Sequence, residues 1–171
     1  TTTYRKISDQ GVSVESFRGQ DMLVVEPSAL EILSQAAFEE INFFLRTKHL
    51  EQLRAIVDDP EASNNDRFVT LHYLKNSVIA SGGVLPMCQD TGTAIIMGRK
   101  GRRVFTQDLD QDHLGQGVLG AYASRNLRYS QLAPLGMFEE KNTKTNLPAQ
   151  IDILSDGPED EYNFLFMAKG G

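Results

Sequence analysis

Cys88 is the only cysteine in 171 residues, and Gln89, Asp90 and a Thr91-Gly92-Thr93 turn follow it directly. A thiol, an amide and a carboxylate are thus presented at three consecutive positions. A thiolate is a metal ligand or a nucleophile. An amide donates to a carboxylate, and an acid accepts or moves a proton. Gly82-Gly83 loosen the backbone ahead of the stretch, Pro86 stiffens it, and the apolar run Ala94-Ile95-Ile96-Met97 anchors it to a sheet. The plainer alternatives are Cys88 as a small buried hydrophobe and Asp90 as a turn former. Nucleophilic catalysis by Cys88 needs a basic partner. His49, His72 and His113 lie in helical or helix-capping stretches, and His72, beside Leu71, reads as a core or boundary residue.

Three later segments add candidates. Asn126-Leu127-Arg128-Tyr129-Ser130 closes a predicted helix. Arg128 there either complements the helix dipole or forks a carboxylate, and Arg125 reads as its exposed helical neighbour. Asn142 to Ile151 (NTKTNLPAQI) is dense in Asn, Thr and Pro, which predicts a rigid loop whose side chains bond backbone. Lys169-Gly170-Gly171 offers bare backbone that a ligand or another chain segment can approach closely. The hydroxyls of Thr91 and Thr93 are assigned to the loop's own backbone.

In this order the cysteine loop, the Arg128 segment, NTKTNLPAQI and Met167-Ala168-Lys169-Gly170-Gly171 resemble class I fumarases, the iron–sulfur fumarate hydratases. The resemblance reaches upstream to Asp59-Pro60-Glu61-Ala62-Ser63-Asn64. It implies an N-terminal portion of a hydro-lyase that interconverts fumarate and (S)-malate. It also implies a [4Fe-4S] cluster on three cysteines, whose open iron acts as a Lewis acid. Cys88 is then a metal ligand, with two further cysteines expected outside this chain. Gln89, Arg128 and the Gly171 backbone bind the dicarboxylate. Asp90 binds the hydroxyl and serves in catalytic proton transfer, with a further base supplied from the remaining C-terminal part.

The resemblance further implies a homodimer when complete, a cytoplasmic or mitochondrial-matrix location, and an isolated 171-residue piece that is inactive. Lys144 stands where the family often carries glycine. Related tartrate or mesaconate-type (de)hydratases remain open, as does a catalytically silent binding domain of the same fold. The shared site requires Cys88, Gln89, Asp90, Arg128 and Gly171 to line one concave region.

The elements that must position these residues follow from periodicity. Length and composition (40% hydrophobic, 23% charged) fit one soluble globular domain over residues 1–171. A net charge of −6 argues against nucleic acid or an anionic membrane as partner, and a dianionic substrate needs local cations. No apolar run approaches a membrane span. One cysteine permits no internal disulfide and fits a reducing compartment.

Val12 to Val25 reads as a short, partly alternating strand-like or extended entry. A capping box of Ser28 and Glu31 opens a helix with Leu30, Leu33, Ala37, Ile41 and Phe44 inward. A second helix runs from Thr47 to before Pro60, with Leu50, Leu53 and Val57 inward. A third, capped by Asn64 or Asn65, turns Phe68, Leu71, Val78 and Ile79 inward. Thr93 to Met97 is a buried strand, Gly98 to Gly101 a turn, and Arg103 to Phe105 a return strand. Asp112 to Asn126 is helical, with Leu114, Val118 and Tyr122 on one face. Gln150–Leu154 and Tyr162–Met167 form a hairpin across Ser155-Asp156-Gly157-Pro158. The fold class is α+β: a helical N-terminal half followed by a mixed sheet with a packed helix.

Overall fold

The computed structural model describes residues 4–90 and 92–170. The chain enters as strands β1 (Val12–Phe17) and β2 (Gln20–Val25), an antiparallel pair. Arg18 and Gly19 turn between them at φ 52° and 78°, the two positive angles that a tight hairpin turn requires. The stretch expected as a strand-like or extended entry is a pair of strands, ahead of the helices of the N-terminal half.

Helix α1 (Pro27–Phe43) follows with Glu26 as N-cap and Pro27 in its first turn, where a missing N–H costs nothing. No side chain caps it, so the expected Ser28–Glu31 box does not form. Its buried positions are Leu30, Ser34, Phe38, Asn42 and Phe43. Leu30 and the helical spacing are as the sequence predicts. The stripe is rotated, however: Leu33, Ala37 and Ile41 are half-buried and Phe44 is exposed. Two polar residues take core positions instead, each with a backbone acceptor: Ser34 Oγ donates to Leu114 O at 2.8 Å and Asn42 Nδ2 to Phe38 O at 2.7 Å.

Helices α2 (Thr47–Asp58) and α3 (Asn64–Ala80) pack on each other. Ser63, one residue before the expected caps, starts α3 through a capping box with Asp66: Asp66 N donates to Ser63 Oγ at 3.1 Å and Ser63 N to Asp66 Oδ2 at 3.0 Å. Leu50, Leu53 and Val57 are half-buried against this neighbour. Phe68, Leu71, Val78 and Ile79, expected inward, are exposed, because α2 covers only one side of α3. His72 is exposed too, its Nδ1 2.8 Å from Phe68 O, and is not a core residue.

The sheet that carries the cysteine loop has β3 (Thr93–Lys100) in the middle, parallel to β7 (Gln150–Leu154) and antiparallel to β8 (Tyr162–Lys169). β7 and β8 are thus not a hairpin, since β3 lies between them. The connection from β7 to β8 crosses the far end of β3, and there a side chain on Gly101 would strike Pro158 O at 1.9 Å. β3 also runs through the turn expected at Gly98. The strand after it, β4 (Val104–Thr106), leaves to pair parallel with β2, so it does not return on β3. Two short strands not foreseen, β5 (Leu132–Pro134) and β6 (Glu140–Asn142), pair with each other.

Helix α4 (Asp110–Ser124) forms as its periodicity predicts, with Leu114, Val118 and Tyr122 fully buried. It packs on α1, and α1 packs on β8, with Phe38 edge-on to Phe166 at 5.9 Å and 87°. Ala94 and Ile96 of β3 complete one contiguous core. The result is α+β.

Asp110 secures the first turn of α4: its Oδ2 accepts from Tyr162 OH at 2.7 Å and Lys100 Nζ at 3.0 Å. Burial works against ionisation of Asp110, but these donors and Thr106 hold its carboxyl below the usual range. Burial and the Asp110 carboxylate push the Tyr162 phenol well above its own.

Two predictions follow from the α1–α4 join. A Cβ on Gly117 would meet Glu31 O at 2.4 Å and Ser34 Cβ at 2.6 Å. Gly117→Ala should therefore lower the unfolding free energy by about 1–3 kcal/mol in denaturant titration, from overpacking. On the same join His113 Nδ1 sits 2.8 Å from Glu31 Oε1 and Nε2 3.6 Å from Asp108 Oδ2. The Glu31 hydrogen bond raises the imidazole above its ordinary value, partial burial opposes this, and Asp108 adds to it. A raised folded value means that this stabilisation is fully present below about pH 6.5 and is lost as pH rises through the folded value. The stability gap between wild type and His113→Gln should narrow over that rise. A gap that widens would contradict the assignment.

Candidate active-site loop and its tethers

Helix α3 ends at Ala80, and the chain then runs to β3 without regular structure, carrying Cys88, Gln89 and Asp90 on its exposed part. Cys88 is a free, exposed thiol and not a buried hydrophobe. Pro86 is buried beneath it. A loop of this kind has no strand partner, so other elements must satisfy its backbone.

Those partners come from α1, α3, α4, the stretch after α4 and the loop before β7. Met87 N donates to Asn42 O at 2.9 Å, using a carbonyl that the last turn of α1 leaves without a helical donor. Asn76 Nδ2 of α3 donates to Met87 O at 2.7 Å, and Asn126 Nδ2 to Val84 O at 2.9 Å. Gly92 O, where the loop enters β3, accepts from Asn146 Nδ2 at 2.6 Å and Tyr122 OH at 3.2 Å. Thr93 Oγ1 donates to Gln131 Oε1 at 3.0 Å, so it bonds a side chain and not the loop's own backbone. Thr91 lies outside the described residues.

Arg128 is exposed and lies four residues beyond the end of α4, in a stretch without regular structure. It is not a helix-terminal cation. The stretch is fastened to the cysteine loop on both sides of Arg128, through Asn126 before it and through Asn146 after it. Asn146 Oδ1 accepts from Ser130 N at 3.1 Å and Gln131 N at 2.9 Å. Arg125, the C-cap of α4, instead donates through Nη2 to Glu39 Oε2 at 2.5 Å, which raises its already high value further.

The loop over Asn142–Pro148 has the character its composition predicts. Asn142 Nδ2 donates to Tyr129 O at 2.7 Å, and Lys144 N donates to Asn142 Oδ1 at 2.8 Å. Lys144 and Asn146 both adopt left-handed φ values, 57° and 56°.

At the other end of the chain β8 delivers Gly170 to the loop. A Cβ placed on Gly170 would come within 3.0 Å of Asp90 O and 3.1 Å of Asp90 Oδ2. Gly171 lies outside the described residues. Cys88, Gln89, Asp90, Gly170 and the Arg128 stretch are thus gathered at one end of the β3–β8 ladder. They occupy exposed surface, whereas the best-formed cavities lie elsewhere. One, of about 230 Å³, opens between the N-terminal hairpin and α1 beside Tyr162 and Phe164, and another, of about 680 Å³, between α2 and α3.

The tethering amides Asn76, Asn126 and Asn146, with Tyr122 and the backbone carbonyl of Asn42, were not singled out by residue type. Two signals pointed to them. Asn42 is a polar residue on a buried helical stripe, where its amide bonds Phe38 O and its carbonyl accepts from Met87 N. Asn126 and Asn146 lie inside motif segments.

The sequence that builds this loop has relatives among known proteins. A family profile described as fumarate hydratase (Fumerase) matches residues 32–171. The chain belongs to the fumarate hydratase family. It is 54% identical over 171 residues to both "Fumarate hydratase class I, anaerobic" and "Fumarate hydratase class I, aerobic" of Escherichia coli K12. It is 51% identical over 172 residues to "Fumarate hydratase 1, mitochondrial" of Leishmania major. Each alignment covers 99% of this chain but only 31% of the relative, so the chain spans about a third of the curated relatives it matches.

Because Gly92 O keeps the Asn146 donor, Tyr122→Phe should lower stability by only about 0.5–1.5 kcal/mol. Chemical denaturation of wild type and variant side by side measures the difference.

Proposed function

We propose that this chain is the cysteine-bearing N-terminal part of a class I fumarate hydratase, a hydro-lyase interconverting fumarate and (S)-malate. The observation that carries the reading is the exposed, tethered Cys88-Gln89-Asp90 loop in a chain 54% identical throughout to class I enzymes. The single core supports treating residues 1–171 as one domain. The complete enzyme is a homodimer in a reducing compartment, cytoplasm or mitochondrial matrix. That compartment suits one free thiol. Among the described residues no helix is long and apolar enough to cross a membrane.

An iron–sulfur cluster is tested by its donor set. Cys88 is exposed at the tip of a fixed loop, as a ligand to a group shared with other segments must be. Among the described residues no three His, Cys, Asp or Glu side chains gather around one point. The chain therefore fits as donor of one thiolate, Cys88, with the other ligands from the remaining part of the enzyme. When bound, the cluster supplies Lewis acidity toward the substrate hydroxyl or the water to be added.

The remaining work falls to this chain's side chains and backbone. The Arg128 guanidinium forks one substrate carboxylate, a contact that Lys cannot reproduce because it lacks the planar fork. Gln89 donates its amide to a carboxylate oxygen. Asp90 holds the hydroxyl and exchanges its proton at a carboxylate oxygen. Gly170 lets the backbone lie where a side chain would crowd Asp90, and the Gly171 backbone N–H binds the substrate carboxylate.

Full-length enzyme, reconstituted with iron and sulfide and assayed for fumarate hydration, tests this. Cys88→Ala should lose cluster absorbance and activity together. Asp90→Asn should keep the cluster and lose turnover. Arg128→Ala should lose about 2–4 kcal/mol of transition-state binding, or about 30- to 1000-fold in kcat/KM, with Arg128→Lys also impaired. Arg128→Ala kinetics within about twofold of wild type, or a normal cluster in Cys88→Ala, would sink the corresponding assignment.

A further inference from the structure

We infer that Asn146 is a positioning residue for this site, setting the separation between the Cys88–Asp90 loop and the Arg128 segment. The inference rests on the proposed hydratase reading for its kinetic consequences, but the tether itself is a separate claim about structure.

Asn146 is fully buried, and its amide is used at both ends. Nδ2 donates to Gly92 O at 2.6 Å, two residues after Asp90, and Oδ1 receives Ser130 N and Gln131 N, two and three residues after Arg128. One rigid planar group therefore spans the acid-bearing loop and the guanidinium-bearing stretch. Leu127 seats the Arg128 stretch in the core, but apolar packing is non-directional, and Asn146 supplies the directed bonds that join the two segments. The backbone supports the role. Asn146 sits at φ 56°, where asparagine is among the few residues other than glycine that settle readily. The surrounding turn, with Lys144 N on Asn142 Oδ1 and Asn142 Nδ2 on Tyr129 O, ties the same loop to the Arg128 stretch a second time.

Two catalytic groups held for one small substrate are sensitive to their spacing, and misplacement by about 1 Å costs up to about a hundredfold. Asn146→Gly is the informative variant, because glycine keeps the positive φ while removing the amide. In the full-length, cluster-loaded enzyme it should lower kcat/KM by about tenfold or more with cluster absorbance and iron content unchanged. In an Arg128→Ala background the same substitution should cost at least about threefold less, since one of the two positioned groups is already gone. Additive losses would overturn the inference, as would unchanged kcat/KM or a loss that merely tracks the folded fraction.

Should Asn146→Gly fail to fold, Asn146→Asp takes its place. Only its protonated form donates to the Gly92 carbonyl, so its activity relative to wild type should recover as pH falls. A pH-independent ratio would count against the tether. Independently of activity, amide exchange at Ser130 and Gln131 should accelerate in Asn146→Gly, and unchanged exchange overturns the tether. A wild-type enzyme without hydratase activity would overturn the proposed function instead, leaving amide exchange to decide on Asn146.

Discussion

A segment that displays its side chains on exposed surface cannot also satisfy its own backbone in a sheet, and the architecture around residues 81–92 answers that constraint. The N–H of Met87 and the carbonyls of Val84, Met87 and Gly92 are taken by α1, α3, the stretch after α4 and the loop before β7. Each donor or acceptor comes from a different element. The helices and the sheet must therefore assemble before the loop has one conformation. The loop's rigidity is a property of the whole fold, delivered through the amides of Asn76, Asn126 and Asn146, the Tyr122 phenol and the Asn42 backbone carbonyl.

The parts of this arrangement visible in the sequence were those with a local cause. α4 was legible because Leu114, Val118 and Tyr122 repeat at helical spacing and bury on one neighbour. α2 was legible because Pro60 stops it. The Asn142–Pro148 loop was legible from its side chains' habit of bonding backbone. Sheet partners were not legible. β7 and β8 look like hairpin arms because a turn cluster lies between them, yet β3, some fifty residues earlier, occupies the place between. The inward face of α3 was misassigned because periodicity shows which residues share a side and not whether a partner covers it. Phe68 and Ile79, at 62% and 64% exposure, have none among the described residues.

The candidate site shows the same division. Cys88, Gln89 and Asp90 are adjacent in the chain, so their shared location needed no fold to predict. The approach of Gly170 to Asp90 and the fastening of the Arg128 stretch depend on contacts spanning roughly 40 to 80 residues, which only motif order hinted at. Charge illustrates the limit of bulk properties. A chain with net −6 carries Arg128, the cation proposed for the substrate, in a stretch fastened to the loop, without any signature in the total.

The pairing of β3 with β8 runs from Thr93↔Lys169 to Lys100↔Tyr162, and Asp110 grips the far end through both Lys100 and Tyr162. Seven residue steps of antiparallel strand measure about 24 Å. The ladder therefore works as a ruler, zeroed at a buried carboxylate and read at the cysteine loop. Sliding β8 by one residue would move Gly170 about 3.4 Å along Asp90 and turn Tyr162, Phe164 and Phe166 out of the core. The core that punishes such a slip thereby calibrates a surface it never touches.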